Sequence, residues 1–195
     1  MSLKTLPVIA ILIISVVAVF CSSEKKSEEQ LYTEANQAKE KGNFKEATEI
    51  YRRILKLYPE NPKSYRALFL MGMIYAQNLK DDKQANTIFQ KFLDKYSNGE
   101  QLLYNEAQSF LEKGDFASAI KIYEEILKLY PESSNSYKAQ FSIGFVYSEN
   151  LKDYDQAKEA YKKVMEKYPN CDLADDANFM LQMLESDSLS KNLPK

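Results

Sequence analysis

Histidine is absent from this chain and glycine is scarce, with 5 among 195 residues. The missing imidazole removes the commonest general base and the commonest transition-metal ligand together. Only two cysteines occur, Cys21 and Cys171, which leaves no Cys-x-x-Cys pair and no disulfide framework. An excess of one charge is lacking too. The 26 basic and 28 acidic residues leave a net charge of −2, so no global positive field draws the chain to nucleic acid or anionic lipid. What is present is an ordinary soluble balance, 45% hydrophobic and 28% charged. The length suits one compact domain or one short repeat array, with a targeting segment ahead of it.

That segment is residues 1–21. Lys4 precedes an apolar run from Val8 to Phe20, and Cys21-Ser22-Ser23-Glu24-Lys25-Lys26 follows. The run is shorter than the ~18–20 residues that span a bilayer as a helix, and it fits the ~7–15-residue apolar core of an export signal. A lone cysteine closing such a run resembles the lipoprotein signals of bacteria, whose cysteine becomes the lipidated first residue of the mature protein. The resemblance implies lipidation at Cys21 and attachment to a membrane through that lipid, with residues 22–28 as a polar tether. Ala18 and Phe20 stand where such signals carry leucine and a small residue. Ordinary cleavage after Ser23 is therefore the competing outcome, and an uncleaved anchor is a third. With either cleavage the mature chain works outside the cytoplasm.

Beyond the tether the chain repeats itself. Residues 31–100 align with 103–172 without a gap, and about half of the positions are identical, a repeat of about seventy residues. EKGNFKEATEIYRRILKLYPE at 40–60 answers EKGDFASAIKIYEEILKLYPE at 112–132, and NLKDDKQA at 78–85 answers NLKDYDQA at 150–157. Each copy splits into two helical hairpins. In the first, Phe44, Ala47, Ile50, Tyr51, Ile54, Leu55 and Tyr58 have the three-and-four spacing of a helix with one buried face. Asn43 with Glu46, Asp81 with Gln84 and Asp153 with Gln156 read as capping boxes. Gly42 suits a left-handed turn, and Pro59 stops the helix.

These hairpins resemble the tetratricopeptide family. Its pattern of a small residue, a turn glycine, an alanine, an aromatic and a proline is met by Ala35, Gly42, Ala47, Tyr51 and Pro59, and again by Ala107, Gly114, Ala119, Tyr123 and Pro131. The second unit offers Gly72, Tyr75, Ala85 and Phe89, and the fourth Gly144, Tyr147, Ala157, Tyr161 and Pro169. Units two and four carry one extra turn residue and lack the turn glycine. The resemblance implies an all-α fold, an alpha-alpha superhelix of about four hairpins over 28–185. Its units are 28–61, 65–98, 100–133 and 137–170, with a capping helix at 172–185 and a flexible tail at 186–195. Ala47 and Gly72 are expected at helix crossings, where a larger side chain would force the ~8–10 Å spacing apart.

Little here carries chemistry. The adjacent carboxylates Glu124-Glu125 and Asp175-Asp176 point about 100° apart on a helix and cannot converge on one atom, so they read as solvated faces. Cys171 at the start of the last helix sits where a dipole could activate a thiol. Without histidine it has no base, and it reads as a tolerated small residue. The glycines serve the scaffold and leave no phosphate-binding loop. No cofactor, metal, nucleic acid or small-molecule substrate is expected, and the chain is read as a non-enzyme.

Among the 14 tyrosines, most belong to the repeat core and the joints. A different set lies on the first helix of each hairpin, the side that lines the concave groove in this family: Tyr32, Phe69, Tyr104 and Phe141, with Met73 and Phe145 one turn on. Two readings of this row stand side by side, a groove for a protein partner and packing against the neighbouring first helices. The alternation of KLYPESSNSYKAQFSIGFVY with KYPNCDLADDANFMLQML also resembles the tetratricopeptide proteins of the bacterial envelope, of the outer-membrane assembly lipoprotein and Tol–Pal coordinator type. That implies an adaptor on the periplasmic face of the outer membrane, gripping a segment of another envelope protein. The alternative is a structural envelope protein that self-associates or binds peptidoglycan.

Overall fold

The computed structural model describes residues 26–133 and 135–191, and among them there is no strand. The helices are α1 (Glu28–Glu40), α2 (Phe44–Leu57), α3 (Tyr65–Gln77), α4 (Asp82–Lys95), α5 (Gly99–Glu112), α6 (Phe116–Leu129), α7 (Ser136–Phe145), α8 (Tyr154–Lys167) and α9 (Ala174–Lys191). A 3-10 turn, Pro62–Ser64, precedes α3. The export segment, Cys21 and the start of the tether lie outside the described residues. The all-α expectation holds, and the chain divides into two compact units, one ending at Lys91 and the other beginning at Phe92.

In the first unit α1 and α2 form a hairpin. Its turn glycine, Gly42, takes φ +77°, a left-handed conformation that costs a side chain its Cβ clearance. The Asn43 N–H then donates to the Ala38 carbonyl at 2.8 Å. Leu31 and Ala35 of α1 and Ala47, Tyr51 and Ile54 of α2 are fully buried. The alanines let the two backbones approach, and the ring of Tyr51 fills the gap they leave. α3 crosses α4 at Gly72, where a Cβ would lie 2.6 Å from Cε1 of Phe89. The absence of a side chain there is a steric condition of the crossing, as the sequence led one to expect.

The second unit repeats the plan. Gly114 has φ +75°, and Ala107, Ala119, Tyr123 and Leu103 are fully buried. At the α7–α8 crossing a Cβ on Gly144 would lie 2.8 Å from Tyr161. The extra turn residue of this hairpin is absorbed by a π-type turn, Val146–Leu151, after which Lys152 adopts φ +55°. The first unit solves the same problem at 78–81: the Leu79 N–H donates to the Ile74 carbonyl, five residues back, at 3.0 Å. Lys80 there also has φ +55°. α9 lays Ala177 and Leu181 on Ala157, Tyr161 and Val164 of α8.

Three local expectations are corrected. Asn43 makes no side-chain cap; its amide donates instead to the Glu46 carboxylate at 3.2 Å. Asp81 and Asp153 do cap, accepting from the N–H of Gln84 at 3.0 Å and of Gln156 at 3.2 Å. Second, Glu125 is buried rather than solvated, and Lys128 lies 3.3 Å from its carboxylate. Third, α9 continues to Lys191, so helix reaches into the 186–195 segment expected as a flexible tail.

Candidate functional site

The aromatic row of the first helices is where a binding surface was expected, and its geometry repeats in every hairpin. Tyr32 on α1 leans on Tyr51 of α2, ring centres 6.0 Å apart and planes at 55°. Phe69 leans on Phe89 at 6.0 Å and 49°, Tyr104 on Tyr123 at 5.4 Å and 57°, and Phe141 on Tyr161 at 5.3 Å and 60°. Tilted pairs of this kind are worth about 0.5–1.5 kcal/mol beyond the area they bury. Each ring thus packs on the second helix of its own hairpin. Neither reading of the sequence described this partner, although the separation of the paired residues in the repeat, one wider in hairpins two and four, was there to be seen.

Exposure sorts the row. Phe69 and Met73 are buried, at 1% and 9%, so these two members belong to the core and not to an open surface. Their place in a long apolar stretch, ALFLMGMIY at 67–75, is the reason: α3 is apolar on nearly all sides. Tyr32, Tyr104 and Phe141 are half-buried. Phe145 is open to solvent at 46%.

Polar tips tie the row to its surroundings. The Tyr32 hydroxyl donates to the Lys63 carbonyl at 3.1 Å, and the Arg66 guanidinium lies 5.4 Å over its ring. In the second unit the Tyr104 hydroxyl and Ser142 Oγ are 3.1 Å apart, which ties α5 to α7. Behind the row, the Tyr51 hydroxyl donates to Asn36 at 3.1 Å, and Gln108 donates to the Tyr123 hydroxyl at 2.7 Å. Burial pushes the Tyr32 and Tyr123 hydroxyls well above their ordinary range, so both stay protonated at neutral pH. The Tyr130 hydroxyl is pushed up to about 12, first by burial and then by the Glu100 carboxylate.

Reactive groups do not gather. Among the described residues no set of three carboxylate or thiol side chains could hold a metal ion. Glu124 is exposed while Glu125 is buried, and burial raises the Glu125 carboxyl against the opposing pull of Lys128. Asp175 and Asp176 both face water. Cys171 precedes α9 and packs against the Ala157–Tyr161–Val164 cluster. No helix among the described residues is long and apolar enough to cross a membrane. What the arrangement offers is apolar area with hydroxyl tips, the chemistry of protein recognition.

Comparison with known proteins agrees with the repeat. The tetratricopeptide repeat model matches residues 31–61 and 66–99, and a family described as outer membrane lipoprotein (YfiO) matches residues 97–192. Human protein O-mannosyl-transferase TMTC3 is 26% identical over 140 residues, which is 72% of this chain and 15% of that protein. Photosystem I assembly protein Ycf3 of Synechococcus sp. strain CC9605 is 33% identical over 67 residues, 34% of this chain and 38% of that one. The chain therefore spans well under half the length of either relative. A tetratricopeptide repeat protein from Parabacteroides merdae has a crystal structure that is 22% identical, with 82% of this chain and 60% of that one covered and a TM-score of 0.40.

Proposed function

We propose that this chain of tetratricopeptide repeats is a non-catalytic adaptor of the bacterial cell envelope, held to a membrane by a lipid on Cys21. Its work is to grip a segment of another envelope protein. The observation that carries the reading is the match of residues 97–192 to the outer membrane lipoprotein family. The lone cysteine closing an export-type apolar run supports it independently. The periplasmic face of the outer membrane follows as the place of action.

The gripping surface is assigned to the first-helix face of the second unit. There Tyr104 and Ser142 join α5 to α7, and Phe145 stands open one turn beyond. An exposed phenylalanine flanked by half-buried aromatics is the kind of anchor that carries binding energy in protein interfaces. The half-buried rings keep their packing when the surface is empty, so a partner segment gains area without the chain having to rearrange.

Two experiments test the reading. Labelled fatty acid should enter the parent protein and be absent from Cys21→Ser, which should leave the membrane fraction or fail to mature. A parent protein that takes up no label and is found soluble would remove the anchor. Phe145→Ala should weaken capture of the envelope partner by ~1–2 kcal/mol with little change in melting; unchanged capture would remove the assigned surface.

A further inference from the structure

The last helix repeats the first helix of a hairpin, and nothing among the described residues answers as its second. Tyr168-Pro169 before α9 matches Tyr130-Pro131 before α7. In that register Ala177, Phe179, Leu181 and Met183 fall where Ala139, Phe141, Ile143 and Phe145 stand. Ala177 and Leu181 are buried on α8, as Ala139 and Ile143 are buried in α7. The equivalence breaks at one position. Phe141 lies on Tyr161 of the following helix, whereas Phe179 is 61% exposed; Met183, one turn on, is open at 49%, as its counterpart Phe145 is at 46%. Residues four apart share a helix face, so the two make one apolar stripe.

We propose that this stripe is a docking face for an amphipathic, net-basic helix of a partner protein, which completes the hairpin in trans. The chain itself specifies the shape of the occupant. In each hairpin the second helix offers an alanine and, one turn later, an aromatic: Ala47 and Tyr51, Ala85 and Phe89, Ala119 and Tyr123, Ala157 and Tyr161. Those alanines are at most 2% exposed and the aromatics likewise, so this is the face on which a first helix closes. Charge specifies the rest. Asp175 and Asp176 lie exposed one turn before Phe179, and Glu185 lies exposed beyond Met183. Residues 174–186 of α9 carry Asp175, Asp176 and Glu185 and no lysine or arginine. Two such helices would repel each other, which disfavours a second copy, while a helix bearing lysine or arginine is attracted. The inference goes beyond the adaptor reading and does not depend on it: it concerns α9 alone, with or without a lipid anchor.

The chain supplies its own probes. The peptides of residues 43–58 (NFKEATEIYRRILKLY) and 115–130 (DFASAIKIYEEILKLY) carry nearly the same apolar face. The first is net basic, with two arginines after the tyrosine, and the second is net acidic, with two glutamates there. Fluorescence anisotropy of each labelled peptide against the full chain should show the 43–58 peptide bound about tenfold more tightly. Phe179→Ala should weaken it by about tenfold while melting stays unchanged, because the side chain faces solvent, whereas Met183→Ala, whose counterpart Phe145 stays open in a complete hairpin, should change it much less. Replacing Asp175 and Asp176 together by lysine should reverse the preference between the two peptides. If neither peptide binds, or if Phe179→Ala leaves binding unaltered, the proposal is overturned. A concentration-dependent dimer in sedimentation that Phe179→Ala abolishes would overturn it as well, since the occupant would then be a second copy.

Discussion

At the scale of single residues, the duplication provides matched pairs in which one copy has a partner that the other lacks. The Tyr58 hydroxyl donates to the Lys26 carbonyl at 2.7 Å. Tyr130, at the same place in the second copy, has a buried hydroxyl without a hydrogen-bond partner. Removing a satisfied hydroxyl costs about 1 kcal/mol, whereas removing a buried unsatisfied one is neutral or favourable. Denaturant titration should therefore show Tyr58→Phe destabilised by ~1 kcal/mol and Tyr130→Phe equal to or above the parent; equal losses in the two would contradict the assignment. Gly72 gives a second test at this scale. A Cβ there would press into the buried ring of Phe89, so Gly72→Leu should lose more than ~1 kcal/mol by overpacking. An unchanged melting curve would place Gly72 away from any crossing.

Elements show how the repeat tolerates its own irregularity. Hairpins one and three turn through Gly42 and Gly114, while hairpins two and four turn through Lys80 and Lys152, all four with positive φ. An L-residue pays roughly 1–2 kcal/mol in that conformation, partly offset by the larger conformational entropy that a glycine loses on folding, roughly 0.5–1 kcal/mol. Lys80→Gly and Lys152→Gly should accordingly raise stability by up to ~1 kcal/mol, measured by thermal melting, and Gly42→Ala should lower it by about as much. A loss on replacing either lysine would mean that its side chain is held by more than the exposed ion pair seen between Lys152 and Glu149. These turns also mark where the sequence was legible and where it was not. The 3.6-residue spacing of Phe44, Ala47, Ile50 and Tyr51 located α2, and Gly42 and Gly114 named their own turns. The π-type turn at Val146–Leu151 was legible only as one extra residue in an alignment, since nothing in VYSENL distinguishes a five-residue hydrogen-bond step from a four-residue one. Asn43 misled because its amide found the Glu46 carboxylate, a partner other than the first-turn N–H groups. The aromatic residues of the first helices were legible as a recurring set, but burial is a property of all the neighbours of a residue. That is why Phe69, inside an apolar α3, went to the core while Phe145 stayed open.

For the whole molecule, the abundance of buried tyrosine sets a response to alkali. Tyr32, Tyr123, Tyr130 and Tyr161 are all raised, with burial as the first cause. Tyr137 is raised to about 12 by its hydrogen bond with Asp172. An unfolded tyrosine titrates near pH 10. Because the folded values are higher, the folded state holds these protons longer than the unfolded one. The stabilisation is fully present below pH 10 and is lost as pH rises toward and past 12. Melting temperature should fall steeply over that window, and the spectroscopic titration of phenolate should coincide with unfolding; a stable fold with these tyrosines fully ionised would contradict the burial.

The central claim is that the chain holds an envelope protein by the open aromatic face of its second unit. Photo-cross-linking in intact cells, with a photoreactive residue in place of Phe145, tests it most directly. The account predicts a discrete adduct with one envelope protein, recovered in the membrane fraction and absent when the same residue replaces the buried Tyr123. No protein adduct at position 145, or adducts to cell wall alone, would contradict it.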